Sequence, residues 1–471
     1  MIKTIIENVE ILDAGSEGKA IARVKERVIF VPFVVPGDVV DLMITRKKRN
    51  YLEGKAVKIH KYSEKRQEPF CEHFGTCGGC RWQNIKYEDQ LYYKQKQVAD
   101  SIQRIGKIED ARIQPILPSE NTIFYRNKLE FTFSNRRWMV DGKAEGEQLQ
   151  EDFNALGFHL PTMFDRVLDI NKCWLQADPS NAIRLETKRF AQQHHLSFYD
   201  VRLWQGLLRN LLVRSTGTGD LMVIMVFSRA DRDVVNWFMD HLAKTFPQIT
   251  SLYYVINDKK NDVITDLPCH LYSGQSYIAE KMKSFKGDKE LEFRIGPLSF
   301  FQTNSNQAPV LYKCAAEFAG FKGDEIVYDL YSGIGTISDY ISSSVKKVIG
   351  IESVPAAVVD ANENAERNGI SNTTFFAGEA EKVLNPEFFL AHGKPDIIIT
   401  DPPRNGMHEK VVRAILEAAP EKVVYVSCNP ATQARDLALM SEVYQLDKCQ
   451  PVDMFPHTQH VENVALLKKK S

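Results

Sequence analysis

From about residue 291 to the end, the chain alternates helix-like and buried strand-like segments, and this regularity constrains the fold more than any other feature. In order there are a helix through KCAAEFAG, the strand EIVYDLY, a helix after a glycine turn, the strand KKVIGIE and the helix AAVVDANENAERNG. TTFFAG, DIIITD, a helix around HEKVVRAILEAA and VVYVSC follow. Apolar strands separated by helices suit a parallel sheet covered on both faces, so residues 291–471 are expected to form a doubly wound, Rossmann-like α/β domain. Such sheets bind ligands at the carboxyl ends of their strands.

Those ends carry the chemistry. In DLYSGIGTIS, Gly333 and Gly335 let the backbone turn sharply and approach a ligand, and Glu352 lies 17 residues beyond Gly335 at the end of the next strand. A carboxylate there can accept both hydroxyls of an adenosine ribose. The third glycine of a pyrophosphate-binding loop is replaced by Ser338, so a cofactor without a pyrophosphate, such as S-adenosylmethionine, fits better than a dinucleotide. Asp401 opens DPPRNG, where two prolines stiffen the backbone behind the carboxylate. Read by itself, DPPR also resembles the loop of amino-group methyltransferases.

Cys428 ends the run VVYVSC. Carbon 5 of a uracil is a poor nucleophile until something adds to carbon 6, and a cysteine thiolate is the natural adding group. A general base must then remove the proton on carbon 5. Glu462 stands before an apolar strand-like finish, where a carboxylate is costly unless it faces a polar cleft. Taken singly, a cysteine at a strand end such as Cys428 is more often a structural thiol, and Glu462 reads equally well as an edge-strand surface acid. His457 and His460 read as hydrogen-bonding residues rather than metal ligands, because no cysteine or acid cluster accompanies them.

The first 60 residues show short alternating runs, RVIFVPFVV, VVDLMIT and YLEGKAVKI, broken by turn signals, and predict a small antiparallel OB-like barrel. Arg46 to Arg49 form a basic run that suits phosphate attraction or a solvated hairpin tip. With a net charge of −1, any affinity for nucleic acid must come from local patches, and residues 1–70 carry 14 Lys and Arg against 10 Asp and Glu. A polar linker, SEKRQEPF, leads to Cys71, Cys77 and Cys80, and a helix follows with Leu91, Val98, Ile102 and Ile105 at helical spacing. Residues 61–290 mix strand-like and helix-like pieces and are read as an α+β domain. Three clustered cysteines suit metal ligation in a reducing compartment, with Cys173 as candidate fourth ligand. Spacing alone leaves zinc and a four-iron cluster both open. No run suggests a membrane span or a signal core, so a cytoplasmic chain without membrane attachment is expected; no obligate protein partner is evident.

Taken together and in this order, FFQTNSNQA, DLYSGIGT, the acid of GIES, DPPRNG, VSCNP and HVENVALL resemble the RNA uracil-5-methyltransferase family, most closely its 23S rRNA branch with a TRAM domain and an iron-sulfur cluster. The resemblance covers nearly the whole chain. It implies that Gln302, Tyr331, Thr336, Glu352 and Asp401 line the S-adenosylmethionine site, with Cys428 as nucleophile and Glu462 as base. It also implies that Cys71, Cys77, Cys80 and Cys173 hold a [4Fe-4S] cluster, with zinc the lesser alternative, and that the substrate is a loop of 23S rRNA, with the T loop of tRNA as rival. The chain departs from the family pattern at Ser332 and Asn463, where members often have cysteine, and at Thr336, where they often have asparagine.

Overall fold

The computed structural model describes residues 4–15, 17–139, 153–161 and 163–470. Near the N-terminus five strands close on themselves in the order Ile5–Ala14, Ala20–Val24, Arg27–Val31, Tyr51–Lys61 and Val39–Lys47, the last pairing back onto the first. Closure removes the exposed edges that a five-stranded sheet would otherwise present. The alternation read in the sequence sends Val9, Ile11, Ala22, Ile29, Val31, Val40 and Leu42 into the barrel core, and it leaves Arg46 to Arg49 exposed at a hairpin tip.

A seven-stranded sheet forms the middle of the molecule, in the order Cys269–Gly274, Ser251–Ile256, Leu221–Phe227, Leu208–Ser215, Lys128–Ser134, Ala155–Leu160 and Met163–Asp169. Leu221–Phe227 is apolar and buried at every position, because helix Arg232–Thr245 covers one face while hairpin Ile278–Lys283 and Glu290–Ile295 approaches the other.

The C-terminal sheet has eight strands in the order Thr373–Ala377, Lys347–Glu352, Ile326–Leu330, Ile397–Thr400, Lys422–Ser427, Glu462–Lys469, Tyr444–Val452 and Arg112–Ile113. The first five are parallel, as a doubly wound sheet requires, and separate buried clusters fill its two faces. The last strand departs from that rule. Glu462–Lys469 inserts antiparallel between Lys422–Ser427 and Tyr444–Val452, so the chain's end lies inside the sheet and brings its first residue to the ligand edge.

Helix Tyr87–Arg104 binds these units together. Its buried face includes Val98 and Ile102, as the apolar spacing predicts, but Ile105 is exposed, and the polar Gln90 and Lys94 are fully buried. Lys94 Nζ meets Asp453 Oδ1 at 2.6 Å with neither side chain exposed, and it also donates to the carbonyl of Phe455. Burial pulls the Lys94 ammonium down from its ordinary pKa, while the Asp453 carboxylate opposes that shift. Toward the barrel, Lys96 Nζ reaches Asp13 at 2.6 Å, and Tyr93 shares a small core with Val35, Trp82 and Ile85.

Removing one partner of a buried pair leaves the other charged and unsolvated, which costs about 3–5 kcal/mol. Lys94→Met is therefore expected to lower the unfolding midpoint clearly in thermal or denaturant scans, whereas removal of the exposed Arg49 should leave it unchanged.

Candidate active site

Strand order carries Cys428 and Glu462 to the same place. Ser427 pairs with Asn463 at the end of the antiparallel ladder, Cys428 follows Ser427 and Glu462 precedes Asn463, and the two side chains lie close enough for the Glu462 carboxyl to raise the Cys428 thiol. Asn429 caps helix Pro430–Met440 by accepting from the amide of Ala431, which turns the chain away immediately after the cysteine and leaves Cys428 partly exposed. Asp401 follows strand Ile397–Thr400, parallel neighbour of Lys422–Ser427, and its Oδ2 accepts from Gln302 Nε2 at 3.3 Å.

The electrostatics of this corner are unusual. Burial pushes the Cys428 thiol up to about 12, helped by the Glu462 and Asp401 carboxyls and opposed by Arg404. Asp401 rises to about 7 through burial, reinforced by Asp329. Glu462 is 3% exposed, and its pKa is raised well above the carboxylate range by burial and by Asp401, with Arg404 again opposing. Arg404, from DPPRNG, is the cation that both Cys428 and Glu462 feel, and sequence reading assigned it no role. Its place in the loop beside Asp401 is the signal that pointed there.

The other predicted cofactor residues gather at adjacent strand ends. Gly333 has φ +56 and open space where a Cβ would stand, which leaves the backbone bare toward a ligand. Glu352 holds that loop in shape, since its Oε2 accepts from the amide of Gly333 at 3.0 Å and its Oε1 from Val354 at 2.8 Å. Tyr331 has φ 63 and donates its amide to Ile351, and Thr336 begins the next helix with its hydroxyl 3.1 Å from Tyr312 Oη. Asp329, unremarked in the sequence, is fully buried below the loop, accepts from Ser338 Oγ at 2.6 Å, and is pushed up to about 7 by burial.

Cys428 opens into a cleft of about 1010 Å³ that the barrel, the cysteine loop and the C-terminal sheet line together, with Lys19, Phe33, Arg81, Trp138, Arg404 and His460 on its walls. Lysine, arginines and exposed ring faces suit a phosphate backbone with splayed bases. Burial, with Arg404 adding to it, lowers the His460 imidazole to about 4, so it is neutral at physiological pH.

Cys71, Cys77, Cys80 and Cys173 line one separate cavity of about 460 Å³. Gly78 is required there, because a Cβ would lie 2.2 Å from Pro161 Cγ. Among the described residues no group of three or more His, Cys, Asp or Glu side chains is gathered tightly enough to hold a single metal ion. Four thiols around one cavity are the donor set that either a zinc ion or an iron-sulfur cluster would use. Burial raises all four thiols, Cys77 to about 11 and Cys80 to about 12, so only a strongly positive centre could hold them ionised together.

A glycine loop on a parallel sheet, an acid on the next strand and a carboxylate at the end of the strand beyond are the parts of an S-adenosylmethionine-dependent methyltransferase. Residues 269–470 match the family described as tRNA (Uracil-5-)-methyltransferase, and residues 6–57 match the TRAM domain. The chain is 54% identical to an RNA methyltransferase of Bacteroides thetaiotaomicron over 96% of this chain and 99% of that one. It is 51% identical to one of Porphyromonas gingivalis over 97% and 99%. Among solved structures, the tRNA (uracil-54, C5)-methyltransferase of Pyrococcus abyssi, in complex with S-adenosyl-L-homocysteine, superposes with a TM-score of 0.74 at 26% identity, covering 98% of this chain and 100% of that one. The chain belongs to the S-adenosylmethionine-dependent RNA uracil-5-methyltransferase family. That membership leaves the amino-group reading of DPPR without support.

With its pKa near 12, the free thiol carries little thiolate at neutral pH. Alkylation of Cys428 by iodoacetamide in the RNA-free protein is expected to be slow at pH 7 and to accelerate steadily toward pH 10. Arg404→Ala removes the one cation favouring thiolate and should slow it further; a plateau below pH 8 would contradict this assignment.

Proposed function

We propose that this protein methylates carbon 5 of a uridine in RNA through a covalent adduct on Cys428, and that Glu462 removes the carbon-5 proton. The meeting of Cys428 and Glu462 at one end of the Lys422–Ser427 and Glu462–Lys469 ladder, with the Glu462 carboxyl raising the Cys428 thiol, supports this reading. The Sγ–C6 bond forms as the thiol proton leaves to solvent through the open cleft, and the electron pair of the C5–C6 double bond moves toward O4. S-adenosylmethionine, when bound, supplies an electrophilic methyl group for carbon 5. Glu462 then takes the proton from carbon 5, the double bond re-forms, and Cys428 departs from carbon 6 as thiolate. A raised pKa makes Glu462 a stronger base once ionised and leaves less of it ionised at a given pH, so the elimination step should slow as pH falls.

Gln302, Tyr331, Thr336, Glu352 and Asp401 would line the methyl-donor pocket. Cys71, Cys77, Cys80 and Cys173 would hold a [4Fe-4S] cluster. Methyl transfer moves no net electrons between donor and base, so the cluster's contribution is read as structural. A chain produced anaerobically should contain about four iron atoms and little zinc, measured by elemental analysis.

The target is read as a 23S rRNA loop whose uridine is splayed into the cleft. The Pyrococcus abyssi neighbour supports a second reading, a uridine of tRNA. Its match extends over 98% of this chain, so the barrel has a counterpart there and domain plan alone does not choose between targets. Mass-spectrometric mapping of 5-methyluridine in rRNA and tRNA, from cells with and without this chain, decides between them.

Cys428→Ala should abolish methyl transfer and the covalent complex with RNA. Glu462→Gln should still form the complex but fail to release it, so methylated RNA accumulates on the protein in denaturing gels. Undiminished turnover by Cys428→Ala would refute the reading.

A further inference from the structure

We infer that the loop holding Cys71, Cys77 and Cys80 clamps the segment carrying Glu462, and that Gln90 and His457 are positioning residues for the proton-abstraction step. This inference rests on the role proposed for Glu462. Residues 453–461 connect strand Tyr444–Val452 to Glu462, and His457 lies at their centre, 4% exposed and at φ 64. A non-glycine residue keeps a left-handed backbone only where its surroundings fix it. Here they do so from every side. The amides of Arg81 and Trp82, immediately after Cys80, both donate to the His457 carbonyl at 2.9 and 3.0 Å. The His457 amide donates to Gln90 Oε1 at 2.8 Å, and Gln90 Nε2 stands 3.2 Å from His457 Nδ1.

The same Gln90 amide group donates to the carbonyls of Trp82 and Ile85 at 3.0 and 2.8 Å, so one fully buried side chain grips both the exit of the cysteine loop and the catalytic segment. At the loop's entrance, Phe70, next to Cys71, packs edge-on against the His457 ring at 5.0 Å and against Trp174, the neighbour of Cys173, at 5.7 Å. Both ends of the loop that would hold the cluster therefore rest on His457, five residues before the base. A cluster bound to the four cysteines fixes those ends relative to each other. Releasing it frees Arg81, Trp82 and Phe70 to move, and the base moves with them. Cys428 follows a different strand and precedes its own capped helix, so once RNA is saturating the adduct-forming step does not depend on this clamp, although Arg81 also lines the cleft.

The test uses the full-length, cluster-loaded protein, the same protein after its iron has been removed by oxidation and chelation, and the loaded variants Gln90→Ala and Gln90→Glu. Amide exchange is followed at Arg81, Trp82 and His457, with strand Ile397–Thr400 as internal control. Formation and decay of the covalent RNA complex are timed separately. Faster exchange at His457 is expected in Gln90→Ala and in the iron-free protein, with the control strand unchanged. Adduct formation should stay near the wild-type rate while decay slows by about tenfold or more, as expected for a base displaced by a fraction of an ångström. Gln90→Glu retains the acceptor for the His457 amide and should recover much of that protection.

Wild-type protection of His457 in the iron-free protein would overturn the inference, as would equal slowing of formation and decay in Gln90→Ala. Should Gln90→Ala fail to fold, Phe70→Leu tests the same contact from the loop's other end. A wild-type protein that never forms a covalent complex would refute the role of Cys428, and exchange at His457 would then decide the clamp by itself.

Discussion

The ion pair between Lys94 and Asp453 sits where barrel, cysteine loop and methyltransferase sheet meet, and the relation between those parts depends on it. Both side chains are sealed from water. Asp453 is held besides by Tyr87 Oη at 2.9 Å and accepts from the amide of Phe455, so the charge is satisfied in one geometry only. Apolar packing between the same surfaces would tolerate sliding. A buried, fully hydrogen-bonded pair does not, and the cleft beside Cys428 keeps a defined shape across three structural units as a result.

The cleft itself depends on a different balance. Three carboxyls, Asp329, Asp401 and Glu462, lie close together and out of water, and each is pushed toward its neutral form. One arginine, Arg404, opposes that trend at both Cys428 and Glu462. With its pKa raised to about 12, the Cys428 thiol is protonated at neutral pH, which keeps it inert toward solvent oxidants.

Much of this was legible in one dimension. The strand-helix alternation after residue 291 carried the parallel sheet, and the short polar-apolar runs before residue 60 carried the barrel, because burial on two faces or on one leaves different periodicities. Gly333 was legible for a similar reason, since its positive φ restricts residue type. Gln90 and Lys94 were not. A glutamine and a lysine on a helix read as solvent-facing, whereas Lys94 is satisfied by Asp453 and Phe455 and Gln90 in part by His457, all more than 350 positions away. Ile105 failed in the opposite sense: its spacing matched the apolar stripe, but the helix has ended there and nothing packs over it.

The sequence by itself determined which groups were available: a thiol at the end of a buried strand, acids at the ends of its neighbours, a glycine turn before a helix, and four cysteines in two places. Those follow from short-range rules of periodicity and turn chemistry, which act within a few residues. Only the tertiary structure decided that the last strand would enter the sheet antiparallel, bringing Glu462 close to Cys428, and that the cysteine loop would close on His457. Both outcomes turn on long-range register and on polar groups seeking partners after burial, and no local pattern encodes which distant partner each will find.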